Sequence, residues 1–157
     1  MKQGSDLEAR GSMMMASMMG AIAIQKDLGA VHSCAHALGA VVDMHHGLAN
    51  GIMIDHVMRF NASAAPAKMA ELARVAGVAG AGSMADAGAA SAFVDWLSRM
   101  KEDLGIPATL DVLAAKLPVT RADVPALVEV AINDTCHKTN PRPCTRADFE
   151  ALFAAAL

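Results

Sequence analysis

The sequence predicts an all-helical bundle. Of its 157 residues, 54% are hydrophobic but only 3% are aromatic, and Tyr is absent. Ala and Met supply much of the apolar content, and both are good helix formers. The Val/Ile-rich alternating runs that mark half-buried strands are scarce. The length suits one domain, residues 1–157, and no linker or shift of composition divides it.

A first helix is expected from Leu7 to Asp27, with a break at Gly29. Its run "SMMMASMMGAIAI" follows Lys2 and Arg10 and imitates a signal-peptide core with Ala21 and Ala23 near a cleavage point. Asp6 and Glu8 sit where that reading needs positive charge. The run is also shorter than the roughly 20 apolar residues of a membrane span. It is therefore read as a buried helix. A second helix runs from Ala30 to Val42, "HHG" at His45–Gly47 makes a turn, and a third helix continues to Arg59.

Asn61 and Ser63 offer N-cap chemistry, and Pro66 suits the first turn of a fourth helix. That helix puts Met69, Leu72 and Val75/Ala76 on one face and stops at Gly77. Val78–Gly88 reads as a surface loop. The next helix, Ala89–Leu104, sets Phe93, Trp96, Leu97 and Met100 at core spacing and ends at Gly105-Ile106-Pro107. "TRADVPALVEVAI" from Thr120 and "TRADFEALFAAAL" from Thr145 use one start signal twice, a Thr N-cap with Asp three residues on. "NPRP", Asn140–Pro143, is a rigid loop between them.

The net charge of −3 and the lack of a dense Lys/Arg cluster argue against a nucleic-acid binder. Cys34, Cys136 and Cys144 are an odd number without a CxxC pair, which suits a reducing cytoplasm. Cys34 lies between two histidines and can be read as a ligand, but free Cys is more often a small buried hydrophobe.

Five of the six histidines fall between Gly29 and Asn61. His32 and His36, four apart, share one helix face. A chain reversal could return His46, at the following turn, toward His32. Imidazole ligates Zn and Fe well, but HxxxH is common in helices, so satisfied structural histidines remain the competing reading. His45 and His56 are read as exposed or hydrogen-bonded side chains, and His137, on a polar segment, has no assigned role.

The stretch "GAVHSCAHALG", then "HHGLAN", then "DHVMRFN" resembles the signature region of the iron-containing (group III) alcohol dehydrogenases. "DLEAR", Met13, Ala16-Ser17, "LGIP", "DVPAL" and "NPRPCTRADFEALFAAAL" extend the resemblance over nearly the whole chain. The resemblance implies that His32 and His46 are metal ligands, that His36 is a non-ligand histidine near nicotinamide and substrate, and that Gly47 is the glycine after the second ligand. It also implies Fe2+, with Zn2+ possible, NAD or NADP, and a small alcohol or aldehyde as substrate.

In that family an N-terminal α/β domain binds the nucleotide, and an Asp and a His four apart complete the metal site. Neither is expected here. Asp6 is followed four residues later by Arg10, and no Gly-rich loop follows a predicted strand. The chain thus looks like the C-terminal portion of a longer enzyme, whose partner is the missing N-terminal portion or a second copy. The alternative is an inactive helical binding or assembly module derived from the family.

Overall fold

The computed structural model describes residues 3–110 and 118–157. Lys2, weighed above as part of a charged leader, lies outside them. Among the described residues there are seven α-helices and no strand. They are α1 (Leu7–Ile24), α2 (Ala30–Val42), α3 (His46–Asn61), α4 (Pro66–Val75), α5 (Asp86–Asp103), α6 (Val124–Asn133) and α7 (Arg146–Ala156), with a 3-10 turn at Cys136–Thr139. The all-helical expectation holds.

The main core lies between α2, α3, α6 and α7. Cys34, Leu38, Ile52, Met53, Leu127, Phe149 and Phe153 are buried there. A smaller core forms where α4 packs on α5 around Met69, Phe93, Val94 and Leu97, and Met58 of α3 touches both. The two halves are pinned by Lys101 of α5, 3% exposed, which donates to the Ile52 carbonyl at 2.8 Å and pairs with Asp55. A buried ammonium persists only with such partners.

α1 departs most from expectation. The sequence predicts a buried helix, but none of its residues is buried. Met14 is 73% exposed and Met19 62%. Apolar residues surround the helix, so no single face turns toward the main core, which α2, α3, α6 and α7 already fill. It ends at Ile24, earlier than Asp27, which takes a left-handed φ of 71° in the turn that follows.

Other departures are local. Leu72 and Val75 are exposed, and Met69, Ala70 and Ala73 form the buried face of α4. Val78 and Ala81 of the expected surface loop are buried against the smaller core. Asn61 does not cap α4, whose N-cap is Ala65 without a side-chain bond. Asn61 is instead buried against Asn140, each amide donating to the other at 3.0 and 2.6 Å.

The repeated start signal splits into two outcomes. Thr145 and Asp148 form a full capping box at α7. Thr120 and Asp123 make the same side-chain contact, but a turn precedes α6, which begins at Val124. Pro125 has no N–H to give the Arg121 carbonyl, so the first turn cannot close as an α-helix. α5 ends as expected: Gly105 at φ 71° lets its N–H reach the Glu102 carbonyl and that of Ile106 the Lys101 carbonyl, at 2.9 Å each.

Candidate functional site

α2 presents His32 and His36 one turn apart, with Ser33, Cys34, Ala37 and Leu38 buried beneath. Asp43 closes α2 at a left-handed φ of 53°, and the Met44 N–H turns back to the Leu38 carbonyl at 3.3 Å. Met44 is buried, which anchors the reversal. His46 then opens α3 and comes back beside α2. The ring centres of His32 and His46 are 5.5 Å apart, those of His36 and His46 5.4 Å, and those of His32 and His36 6.0 Å. The three expected site histidines therefore form one triangle, while His45, His56 and His137 lie outside it.

The outlying histidines have local roles. His45 is the exposed N-cap residue of α3. The His56 ring bonds the Ala108 carbonyl at 3.2 Å. His137 bonds the Ile132 carbonyl at 3.1 Å and stands edge-on to Phe149.

The donor chemistry suits a metal. Two imidazoles that share an ion through nitrogens about 2.0–2.1 Å from it have ring centres roughly 5 Å apart. The His32–His46 spacing is close to that. Burial, then the neighbouring His46 and His36, lower the pKa of His32 and keep it neutral, with a lone pair to offer. Asn50, one turn along α3, places its Nδ2 at 3.0 Å from His46 Nε2 and at 2.9 Å from the His46 carbonyl. With the amide placed so, the Nε2 lone pair of His46 accepts from Asn50, and the amide must turn away for that nitrogen to ligate an ion. Asn50 Oδ1 is buried and has no hydrogen-bond partner among the described residues.

The sequence reading missed Asp134, which ends α6 and lies close by. Its Oδ2 is 2.8 Å from His36 Nδ1, and its Oδ1 accepts from Ser33 Oγ and from the Cys136 N–H, both at 2.8 Å. Burial pushes its pKa up, but these three hydrogen bonds more than offset that and hold the carboxyl well below its ordinary range. The only available signal was an acid just beyond a helix end, which is a weak one.

His36, Asp134 and Cys136 bring donor atoms within 4.8 Å of one another. Asp134 is already satisfied, however, and burial and the carboxylate push the Cys136 thiol up to about 11, so a thiolate ligand is disfavoured there. Cys34 is in the core, and burial followed by Cys144 raises its pKa.

A groove of about 690 Å³ adjoins His32, lined by Val31, Asn50, Ile54, Met58 and Leu72 with Lys68 at its rim. Its size and mostly apolar walls are those of a small-molecule site. One end is tied by Asn140, whose Oδ1 accepts from the Ala30 N–H at 3.2 Å and so caps α2, where Gly29 has no side chain to do it.

The family model described as Fe-containing alcohol dehydrogenase family, C-terminal, matches residues 1–157. The chain is 36% identical over 154 residues to 1,3-propanediol dehydrogenase of Klebsiella pneumoniae, covering 98% of this chain and 38% of that protein. It is 35% identical over 165 residues to 4-hydroxybutyrate dehydrogenase of Cupriavidus necator, covering 99% and 40%. The crystal structure of a 1,3-propanediol oxidoreductase superposes with a TM-score of 0.90 at 34% identity, over 99% of this chain and 40% of that one. The chain thus spans about two fifths of the length of the relatives it matches.

Proposed function

Because the chain belongs to the Fe-containing alcohol dehydrogenase family, as its C-terminal domain, we propose that it is the metal-holding part of an NAD(P)-dependent dehydrogenase of small alcohols. The observation that carries this reading is the triangle of His32, His36 and His46 beside an apolar groove. His32 and His46 would hold a divalent metal, Fe2+ with Zn2+ as the alternative. Such an ion supplies Lewis acidity toward the alcohol oxygen. His36 orients the alcohol and takes its hydroxyl proton, and the groove keeps water from the carbon chain. NAD or NADP belongs to an N-terminal portion docked against the histidine face. The setting is a reducing cytoplasm, in keeping with three free cysteines.

The alternative, a helical assembly module without catalysis, has one observation in its favour. α1 exposes apolar residues all round, as a docking element does. Reconstitution separates the two. The N-terminal portion of 1,3-propanediol dehydrogenase is supplied as a second chain, with Fe2+, NAD or NADP and short alcohols or diols, and reduced cofactor is followed by absorbance. Turnover that needs both chains and is lost in His36→Ala supports the dehydrogenase. A stable complex that turns over no alcohol with either metal leaves the assembly module.

A further inference from the structure

We infer that Asp134 is the positioning residue of the site: it holds His36 with its proton on Nδ1 and its lone pair on Nε2. The two oxygens of Asp134 divide their work. Oδ1 accepts the Cys136 N–H at the start of the 3-10 turn and the Ser33 hydroxyl, both at 2.8 Å. A carboxylate needed only to shape that turn would be complete with these two bonds. Oδ2 instead meets His36 Nδ1 at 2.8 Å across the gap between α6 and α2. A carboxylate oxygen only accepts, so Nδ1 is the donor and carries the hydrogen. In a neutral ring the other nitrogen is then the acceptor.

The chemical consequence rests on the dehydrogenase reading above. As the alcohol O–H bond breaks, an Nε2–H bond forms and His36 becomes an imidazolium. The Asp134 carboxylate stabilises that cation without taking its proton. The proton stays on His36 Nε2 through this step and is given up after the product leaves; the side chain is 40% exposed in this chain without the N-terminal portion. The buried Ser33 hydroxyl keeps the carboxylate from rotating away from His36.

Asp134→Asn is an unusually direct test. The backbone N–H of Cys136 can only donate, so the carboxamide must place its oxygen at the Oδ1 position. That leaves its NH2 facing His36 Nδ1. An NH2 there needs an acceptor, so the proton must move to Nε2. In the serine-protease triad the same exchange, Asp to Asn, leaves the histidine in the wrong tautomer and lowers kcat about 10⁴-fold.

The measurement is the 15N shift of the two His36 nitrogens in histidine-labelled chain, by solid-state NMR, at a pH where the imidazoles are neutral. The signals are assigned by their loss in His36→Gln. The chain with Asp134 intact should show a pyrrole-type Nδ1 and a pyridine-type Nε2, and Asp134→Asn should invert them while circular dichroism stays the same. An intact chain with Nε2–H or averaged shifts overturns the proposal, whatever the variant does. So does a folded Asp134→Asn that keeps the original pattern. The readout needs neither metal nor turnover. Failure of the dehydrogenase reading therefore leaves it untouched, and its own failure leaves metal binding by His32 and His46 to stand.

Discussion

At the scale of single residues, Asn140 carries more of the architecture than a loop position suggests. Its oxygen caps α2, and its amide nitrogen donates to Asn61 Oδ1 and to the Arg142 carbonyl, each at 2.6 Å. Asn140→Ala would strand the Asn61 amide and the Ala30 N–H in a dry place. Each buried unsatisfied group costs about 1–3 kcal/mol, so the expected loss is about 2 kcal/mol or more, read by denaturant unfolding. The histidines follow the same one-residue logic. Two imidazoles form an incomplete ligand set, so calorimetric titration of the chain with Fe2+ or Zn2+ should show weak binding. His32→Ala or His46→Ala should remove most of it, and His56→Ala, whose ring bonds Ala108 away from the triangle, should not. Tight stoichiometric binding that survives loss of His32 would sink the ligand assignment.

At the scale of elements, the two Thr-Arg-Ala-Asp starts make a matched comparison. Thr145 accepts from the Asp148 N–H at 3.2 Å, and Asp148 Oδ2 accepts from the Thr145 N–H at 2.9 Å. Thr145→Ala should therefore cost about 1 kcal/mol, and Thr120→Ala less, because the Thr120 hydroxyl only donates to Asp123 and caps no helix N–H. Acid should weaken α7 through the same box. Thr145, by its side-chain and then its backbone bond, lowers the pKa of Asp148 in the folded chain. A carboxyl depressed by folding contributes stability that is present above its unfolded pKa of about 3.9. It is lost as the pH falls from there through the folded value. Part of the loss of stability below about pH 4 should disappear in Asp148→Asn, as acid titration followed by circular dichroism would show.

At the scale of the whole molecule, α1 decides behaviour in solution. Leu7, Met14, Met19 and Ile22 are each more than half exposed. An apolar surface of that extent promotes association. Light scattering should show dimers or larger species, together with binding of a hydrophobic dye. Removing residues 1–24 should abolish both while leaving the remaining helices folded, since both cores are complete without α1. A monodisperse full chain that binds no dye would count against this. No helix of the described residues is long and apolar enough to cross a membrane.

Local chemistry explains what could be read without coordinates. Helix formers, Gly and Pro stops and the Thr145 cap act within a few residues, so the helical class, the limits of α2 and the end of α5 follow from the sequence itself. The spacing of His32 and His36 also sets their shared face, because helical periodicity is a local property. Tertiary structure alone decided three matters. Whether α1 is covered depends on what surrounds it, and a run apolar on every side reads identically buried or bare. Asn61 found its partner 79 positions away, where capping rules that look a few residues ahead do not reach. Asp134 meets His36 across 98 positions only because the C-terminal end of α6 packs beside the middle of α2. A carboxylate at a helix end has many possible partners, and the packing of α6 on α2 chose this one.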